Sequence, residues 1–329
     1  MTRSTELGWE LDGIAMHGTL TVPDGDGPFP TVVLVAGSGP TDRDWTSPLL
    51  PGTNGSARLL ADALAKAGFA SARYDKRGSG PDVAQNVTAL MGRISMASHL
   101  DELAACVAAA VAQDVVDPAR LVGLGNSEGC LHVLHYATSP QPLPFRAVVL
   151  TAPPGRAIGE LFRSQLQLQL GPVPGGEEYL RLVDAAIARF EAGGQMDPDP
   201  SLPEPVRMAL SSFDTPINLP FARELWSEDA ADVLPAITVP TLVVIGHKDV
   251  QVDADLDGKR LQEAAAGLSD VSFAFPASAN HVLKQESRTI AEVVASGDLR
   301  YNGPDTLLDP EAVGAITGWL ADVVEAPER

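Results

Sequence analysis

Apolar residues along this chain fall in short continuous blocks, and amphipathic stretches separate the blocks. The clearest block is TVVLVAG (31–37), a β-branched run with no polar alternation. A strand that is apolar on both faces belongs inside a parallel sheet, covered by helices on either side. FASARYD (69–75), ARLVGLG (119–125), AVVLTA (147–152), TLVVIG (241–246) and VSFAF (271–275) repeat the texture. Between them, residues 56–67, 96–113, 258–266, 310–324 and the stretch after Ser127 predict helices, and Gly68 stands where helices commonly end. Ahead of the first block, GIAMHGTLTV (13–22) reads as the end of an N-terminal hairpin, with turn residues at 24–28. Strands and helices alternating at this spacing predict an α/β fold: a mostly parallel, doubly wound sheet with an antiparallel N-terminal hairpin.

The texture changes between residues 153 and 236. Helical segments at 158–170 and 177–192 are separated by Pro- and Gly-rich joints at 171–176 and 197–205, with no buried-strand block. The expected organisation is one sheet domain, 1–152 and 237–329, interrupted by a helical cap or lid at 153–236. Leu161, Phe162, Leu166, Leu168 and Leu170 read first as packing residues and second as an apolar wall for a ligand.

Composition narrows the partners. The 329 residues carry 23 Lys and Arg against 43 Asp and Glu, a formal charge of −20. That balance argues against nucleic acid or an anionic membrane surface, because phosphate binding needs clustered cations. MTRSTELGWEL lacks the apolar segment of a secretory leader, and the apolar run 103–112 is far short of the roughly 20 residues that span a bilayer. Two cysteines, Cys106 and Cys130, give no disulfide framework, so a cytoplasmic globular protein is expected.

Residues 125–129 read Gly-Asn-Ser-Glu-Gly, directly after a buried block and directly before a helix. A chain of this composition is expected to hold about 0.2 matches to G-x-S-x-G by chance, so the strand–turn–helix context carries the signal. Such a turn projects the serine hydroxyl, its glycines let strand and helix approach, and the helix N-terminus offers N–H groups to an oxyanion. A serine hydroxyl also needs a base and an orienting acid, in the order Ser, acid, His. His281, in SANHVLK after VSFAF, reads as the base. Asp249, in Gly-His-Lys-Asp after TLVVIG, reads as the acid, with Asp253 and Asp255 as rivals. His132 and His135 lie on the helix after Ser127 and read as packing or solvent-facing residues. The oxyanion donors are expected to be the backbone N–H groups of Glu128 and Ser38, the latter in Gly37-Ser38-Gly39-Pro40. The Glu128 side chain has a modest reading of its own, as an acid favoured in a helix's first turn.

Taken in order, GSGPTDRD (37–44), RYDKRG (73–78), GNSEGC (125–130), GHKDVQV (246–252) and Asn280-His281 resemble the motifs of the α/β-hydrolase superfamily. More narrowly, the chain resembles bacterial carboxylesterases and serine-aminopeptidase-like hydrolases. The resemblance spans roughly residues 10–285, apart from the insertion. It implies the same triad, Ser127, Asp249 and His281, and an acyl-enzyme route with no metal or organic cofactor. Asn126 stands where the family usually has His, and Cys130 where it has a second Gly; neither position supplies a catalytic atom, so the departures bear on substrate fit.

Other resemblances are weaker. Asp253, Asp255, Asp257 and Gly258 imitate the start of a calcium loop, but its twelfth position is Ala264 where a bidentate Glu is needed. Gly123-Leu-Gly125 begins a dinucleotide fingerprint whose third glycine is replaced by Glu128. Asp42, Arg43 and Asp44 read either as lining the site entrance or as a salt-bridged loop that fixes the strand end; Arg73, Asp75 and Arg77 read as ion pairs at a strand end. The expected activity is cleavage of small carboxylic esters. Alternatives are a peptidase, amidase or thioesterase with the same triad, or a binding protein on a hydrolase scaffold.

Overall fold

A computed structural model describes residues 2–324. The last five residues of the expected core segment, 325–329, and Met1 lie outside the described residues. Eight strands form one sheet: β1 (Arg3–Leu11), β2 (Ile14–Val22), β3 (Phe29–Val35), β4 (Ala70–Tyr74), β5 (Val116–Asn126), β6 (Ala147–Thr151), β7 (Thr241–Val244) and β8 (Val271–Ala274). Their spatial order is β1-β2-β4-β3-β5-β6-β7-β8. β1 and β2 form the antiparallel hairpin, turning at Asp12 and Gly13, both at positive φ, as a tight two-residue hairpin turn requires. β2 joins β4 antiparallel, and every pairing from β4 to β8 is parallel.

The continuous apolar blocks separate onto two faces with the strand period of two. Val33 and Val35 of β3, Val148 and Leu150 of β6, and Val243 of β7 enter one core. Their neighbours Val32, Leu34, Ala147, Val149, Leu242 and Val244 enter the other. Helices α1 (Ser56–Lys66), α2 (Val83–Leu90), α3 (Met96–Val111) and α4 (Glu128–Thr138) follow the early strands. α1 offers Ala57, Leu60, Ala61 and Leu64 to the second core, an i, i+3, i+4, i+7 stripe. α3 offers Leu103, Cys106, Val107 and Ala110 to the first, and its start is fixed by a capping box between Ser95 and Ser98.

Between β6 and β7 the chain is helical: α5 (Ile158–Leu170), α6 (Gly176–Glu191), α7 (Glu204–Ser212), α8 (Phe221–Leu225) and α9 (Ala230–Val233). Many apolar residues of this segment, including Leu166, Leu170, Val183, Phe190, Leu210 and Trp226, form a cluster of their own, while Phe221 and Leu225 of α8 and Ala230 of α9 pack into the sheet's core. Leu161 instead joins the sheet's core, Phe162 packs partly buried on the helical cluster, and Leu168 stays exposed. Two of these helices match the apolar spacing of the sequence; α7, α8 and α9 are too short and Pro-flanked for a periodic signal. The chain ends through α10 (Leu256–Ala264), α11 (Ile290–Ser296) and α12 (Pro310–Val324), the last laying Ala312, Ile316, Leu320 and Val324 on the second core. Among the described residues no helix is long and apolar enough to cross a membrane.

The order of strands fixes where a site can form. From β3 the chain crosses to β4 on one side, then returns to β5 on the other. The loops leaving β3 and β5 therefore diverge, opening a crevice at the carboxyl ends of the strands.

Candidate active site

Ser127 follows β5 at that crevice, with φ 54° and ψ −125°, a backbone region that L residues seldom occupy. Its N–H donates to Thr151 O at 2.9 Å and its carbonyl accepts from Cys130 N at 2.9 Å, so strand and helix both hold the turn. The flanking glycines explain why the turn is possible. A Cβ at Gly125 would stand 2.5 Å from Cys130 N, and one at Gly129 would stand 2.4 Å from Val35 O. Ser127 is the one residue between Leu121 and Leu134 that is not buried.

Asp249 and His281 leave the ends of neighbouring strands, β7 and β8. Gly246 lets their loops touch: a Cβ there would fall 2.0 Å from Ala279 O. His281 Nδ1 and Asp249 Oδ2 are 2.8 Å apart, and the Asp249 side chain is fully buried. Its other oxygen accepts the N–H groups of Gln251 at 2.7 Å and Val252 at 3.0 Å, which fixes the carboxylate's orientation. The rivals serve elsewhere. Asp253 Oδ1 accepts the N–H groups of Asp255 and Leu256 at the start of α10, and Asp255 is exposed. Asp257 forms a two-pronged pair with Arg156, 3.0 Å on each side, so the calcium-like run is occupied by protein contacts.

Asn126 joins the two halves. Its Nδ2 donates to His281 O at 2.9 Å and to Thr151 Oγ1 at 3.2 Å, tying the histidine loop to the residue before Ser127. Sequence reasoning gave Asn126 no such part. It also missed the brace behind His281: the Tyr301 ring lies 6.2 Å from the imidazole, and Gln251 Nε2 donates to the Tyr301 hydroxyl at 3.0 Å. Burial, helped by the charge of Asp249, pushes the Tyr301 phenol well above its usual range. Lys284, three residues after His281, fastens this segment by donating to Tyr301 O at 2.6 Å, to Thr306 Oγ1 at 2.8 Å and to Asn54 O. Burial lowers the Lys284 ammonium to about 8, with the Arg58 charge adding to it.

On the β3 side, Ser38 is exposed and Gly37 adjoins the turn, a Cβ on Gly37 falling 3.2 Å from the Cβ of Ser127. The GSGPTDRD segment is pinned by ion pairs, as expected: Arg43 to Asp75 at 2.9 Å and Arg73 to Asp44 at 2.7 Å. A cavity of about 890 Å³ opens beside this loop, lined among others by Glu6, Asp42, Arg58 and Asp62, and touches none of Ser127, Asp249 and His281.

Glu128 stands in the first turn of α4, as expected, and its side chain also makes buried contacts there. It is buried, with Oε1 3.3 Å from Lys76 Nζ and 3.2 Å from His132 Nε2. Burial alone would raise its pKa, but Lys76 and His132 outweigh burial and hold the carboxyl well below the usual range. His132 packs on His99 with ring centroids 4.8 Å apart; His99 bonds Glu102 at 2.9 Å, and Glu102 accepts Arg77 Nε at 2.8 Å. The ligating atoms of His99, Glu128 and His132 lie within 4.8 Å of one another, a spacing a metal could use. The Lys76 ammonium already supplies the cation for Glu128, and Glu102 already engages His99. His135 bonds Glu228 at 2.7 Å at the edge of the same helix.

A serine on a strained strand-to-helix turn at the switch point of this sheet defines the α/β-hydrolase class. The chain belongs to the serine aminopeptidase S33 family, whose model matches residues 53–288. It is 26% identical over 277 residues to esterase EstD of Thermotoga maritima, covering 82% of this chain and 58% of EstD, less than two thirds of that relative's length. Two solved structures share the fold at a TM-score of 0.55 each, over 98% of this chain. One is 2,6-dihydroxy-pseudo-oxynicotine hydrolase, 17% identical with 68% of its chain covered. The other is proline iminopeptidase of Mycobacterium smegmatis, 15% identical with 99% covered.

Proposed function

We propose that this protein is a serine hydrolase cleaving small carboxylic esters through Ser127, His281 and Asp249. The observation that carries the reading is the 2.8 Å contact between His281 Nδ1 and buried Asp249, in a loop that Asn126 ties to the Ser127 turn. With Nδ1–H donated to the carboxylate, the Nε2 lone pair is left as the base. It takes the Ser127 proton as Oγ attacks the carbonyl; the tetrahedral oxyanion is received by the N–H groups of Ser38 and Glu128. The imidazolium returns its proton to the leaving alcohol. Water, deprotonated by the same imidazole, then releases the acid and restores Ser127. The likeness to EstD supports the ester preference. The family description favours a second reading, an aminopeptidase using the same groups.

Residues 153–236, with their separate apolar cluster, are read as a cap that shapes the acyl pocket over a core of 1–152 and 237–329. Ser127→Ala should remove p-nitrophenyl ester turnover by about 10⁴-fold or more while circular dichroism stays unchanged. Wild-type turnover in that variant would refute the assignment. A matched panel of esters, thioesters and aminoacyl anilides separates the two readings by kcat/KM.

A further inference from the structure

We propose that Lys76 is a positioning residue of the oxyanion hole, orienting and polarising the Gly37–Ser38 peptide while its pairing with Glu128 ties that peptide to the second donor. The inference rests on the reading of the site given above. Lys76 stands two residues beyond β4 and is 5% exposed. Its Nζ donates to Gly37 O at 2.6 Å and pairs with Glu128 Oε1 at 3.3 Å. In a trans peptide the carbonyl and the following N–H point opposite ways in one plane. A Gly37 carbonyl held toward the buried ammonium therefore turns the Ser38 N–H the other way, away from the interior. The closeness of Gly37 to the Ser127 Cβ, already described, sets that peptide alongside the nucleophile.

An ammonium on a carbonyl oxygen also draws electron density from the amide, which makes its N–H a stronger donor. Glu128 completes the geometry, because its backbone N–H is the other donor and its side chain grips the same lysine. The carboxylate is steadied in turn by His132, and the adjoining Arg77 is held by Glu102 of α3. A buried charge pair that merely filled space would affect stability alone. A pair that sets the donor's direction affects the transition state and spares ground-state binding.

Lys76→Met tests this, together with Lys76→Met/Glu128→Gln, which removes both charges and avoids stranding a buried carboxylate. The probes are p-nitrophenyl butyrate and an aryl trifluoromethyl ketone, whose adduct with a serine carries an oxyanion. We expect kcat to fall about 10–100-fold in both variants with KM changed less than about twofold. The ketone's Ki should rise by the same factor as kcat/KM falls. A folded variant with wild-type kcat, or a loss carried by KM with ketone affinity intact, overturns the inference. If the wild-type protein itself hydrolyses no acyl substrate, the reading of the site fails and takes this inference with it.

Discussion

Ser127 holds a backbone conformation that costs about 1–3 kcal/mol, and its neighbours explain how it persists. The strand, the helix and the two small flanking residues leave no relaxed alternative. Behind it, His132 has a consequence of its own for stability. Burial, opposed by Glu128, lowers its pKa to about 4, while the unfolded chain binds that proton near its ordinary 6.5. Between those values the unfolded state holds more protons, so stability falls as pH drops from 6.5 to 4 and this contribution levels off below 4. At about 1.4 kcal/mol per unit the loss reaches up to about 3 kcal/mol. Denaturant midpoints from pH 7 to 4.5 should fall less steeply in His132→Gln than in wild type; parallel curves would contradict the assignment. At this scale the proposed triad of Ser127, Asp249 and His281 is suggested by the chain because each residue sits in a local motif. Lys76, Tyr301 and Asn126 are not, since what gives them meaning is a partner up to 155 positions away.

Loops, more than regular elements, assemble the site. Asp249 and His281 meet because the β7 and β8 loops pack backbone to backbone at Gly246 and Ala279, where Lys248 N also donates to Ala279 O at 3.0 Å. Gly246→Ala should force these loops apart, lowering kcat/KM more than about tenfold for a stability loss of about 1–3 kcal/mol. An active variant with unchanged kinetics would show that the loops are not coupled there. The strands and long helices are legible from apolar period alone, as TVVLVAG and residues 56–67 illustrate. The turn of the N-terminal hairpin falls at Asp12-Gly13, and residues 24–28 lie outside it in the connection to β3. Short elements such as α2 and α11 carry too few turns for a period to register.

For the whole molecule, one contact between the helical β6–β7 segment and α10 stands out. Arg156, between β6 and α5, pairs with Asp257 of α10, whose side chain is fully buried. Arg156→Met leaves that carboxylate unpaired, at a cost of about 3–5 kcal/mol, and the double variant with Asp257→Asn should recover much of it. Thermal or denaturant unfolding reads both; equal stability in the single variant and wild type would contradict the pairing. The α/β class and the interruption after β6 are legible because buried-strand blocks stop at residue 152 and resume at 241. How the helices between β6 and β7 pack is not, because the aromatic contacts of Phe162, Phe190, Phe213 and Trp226 are tertiary. The formal charge of −20 is spread over residues 153–236 and the rest of the chain alike, which disfavours a polyanionic ligand.

Ser127 is proposed to act as an activated nucleophile. Intact protein treated with a fluorophosphonate and mapped by peptide mass spectrometry tests it most directly. One adduct per chain is expected, on Ser127, at a rate that drops by orders of magnitude when His281 is replaced by Gln. Absence of labelling, or an adduct on another serine while Ser127 stays free, would contradict it.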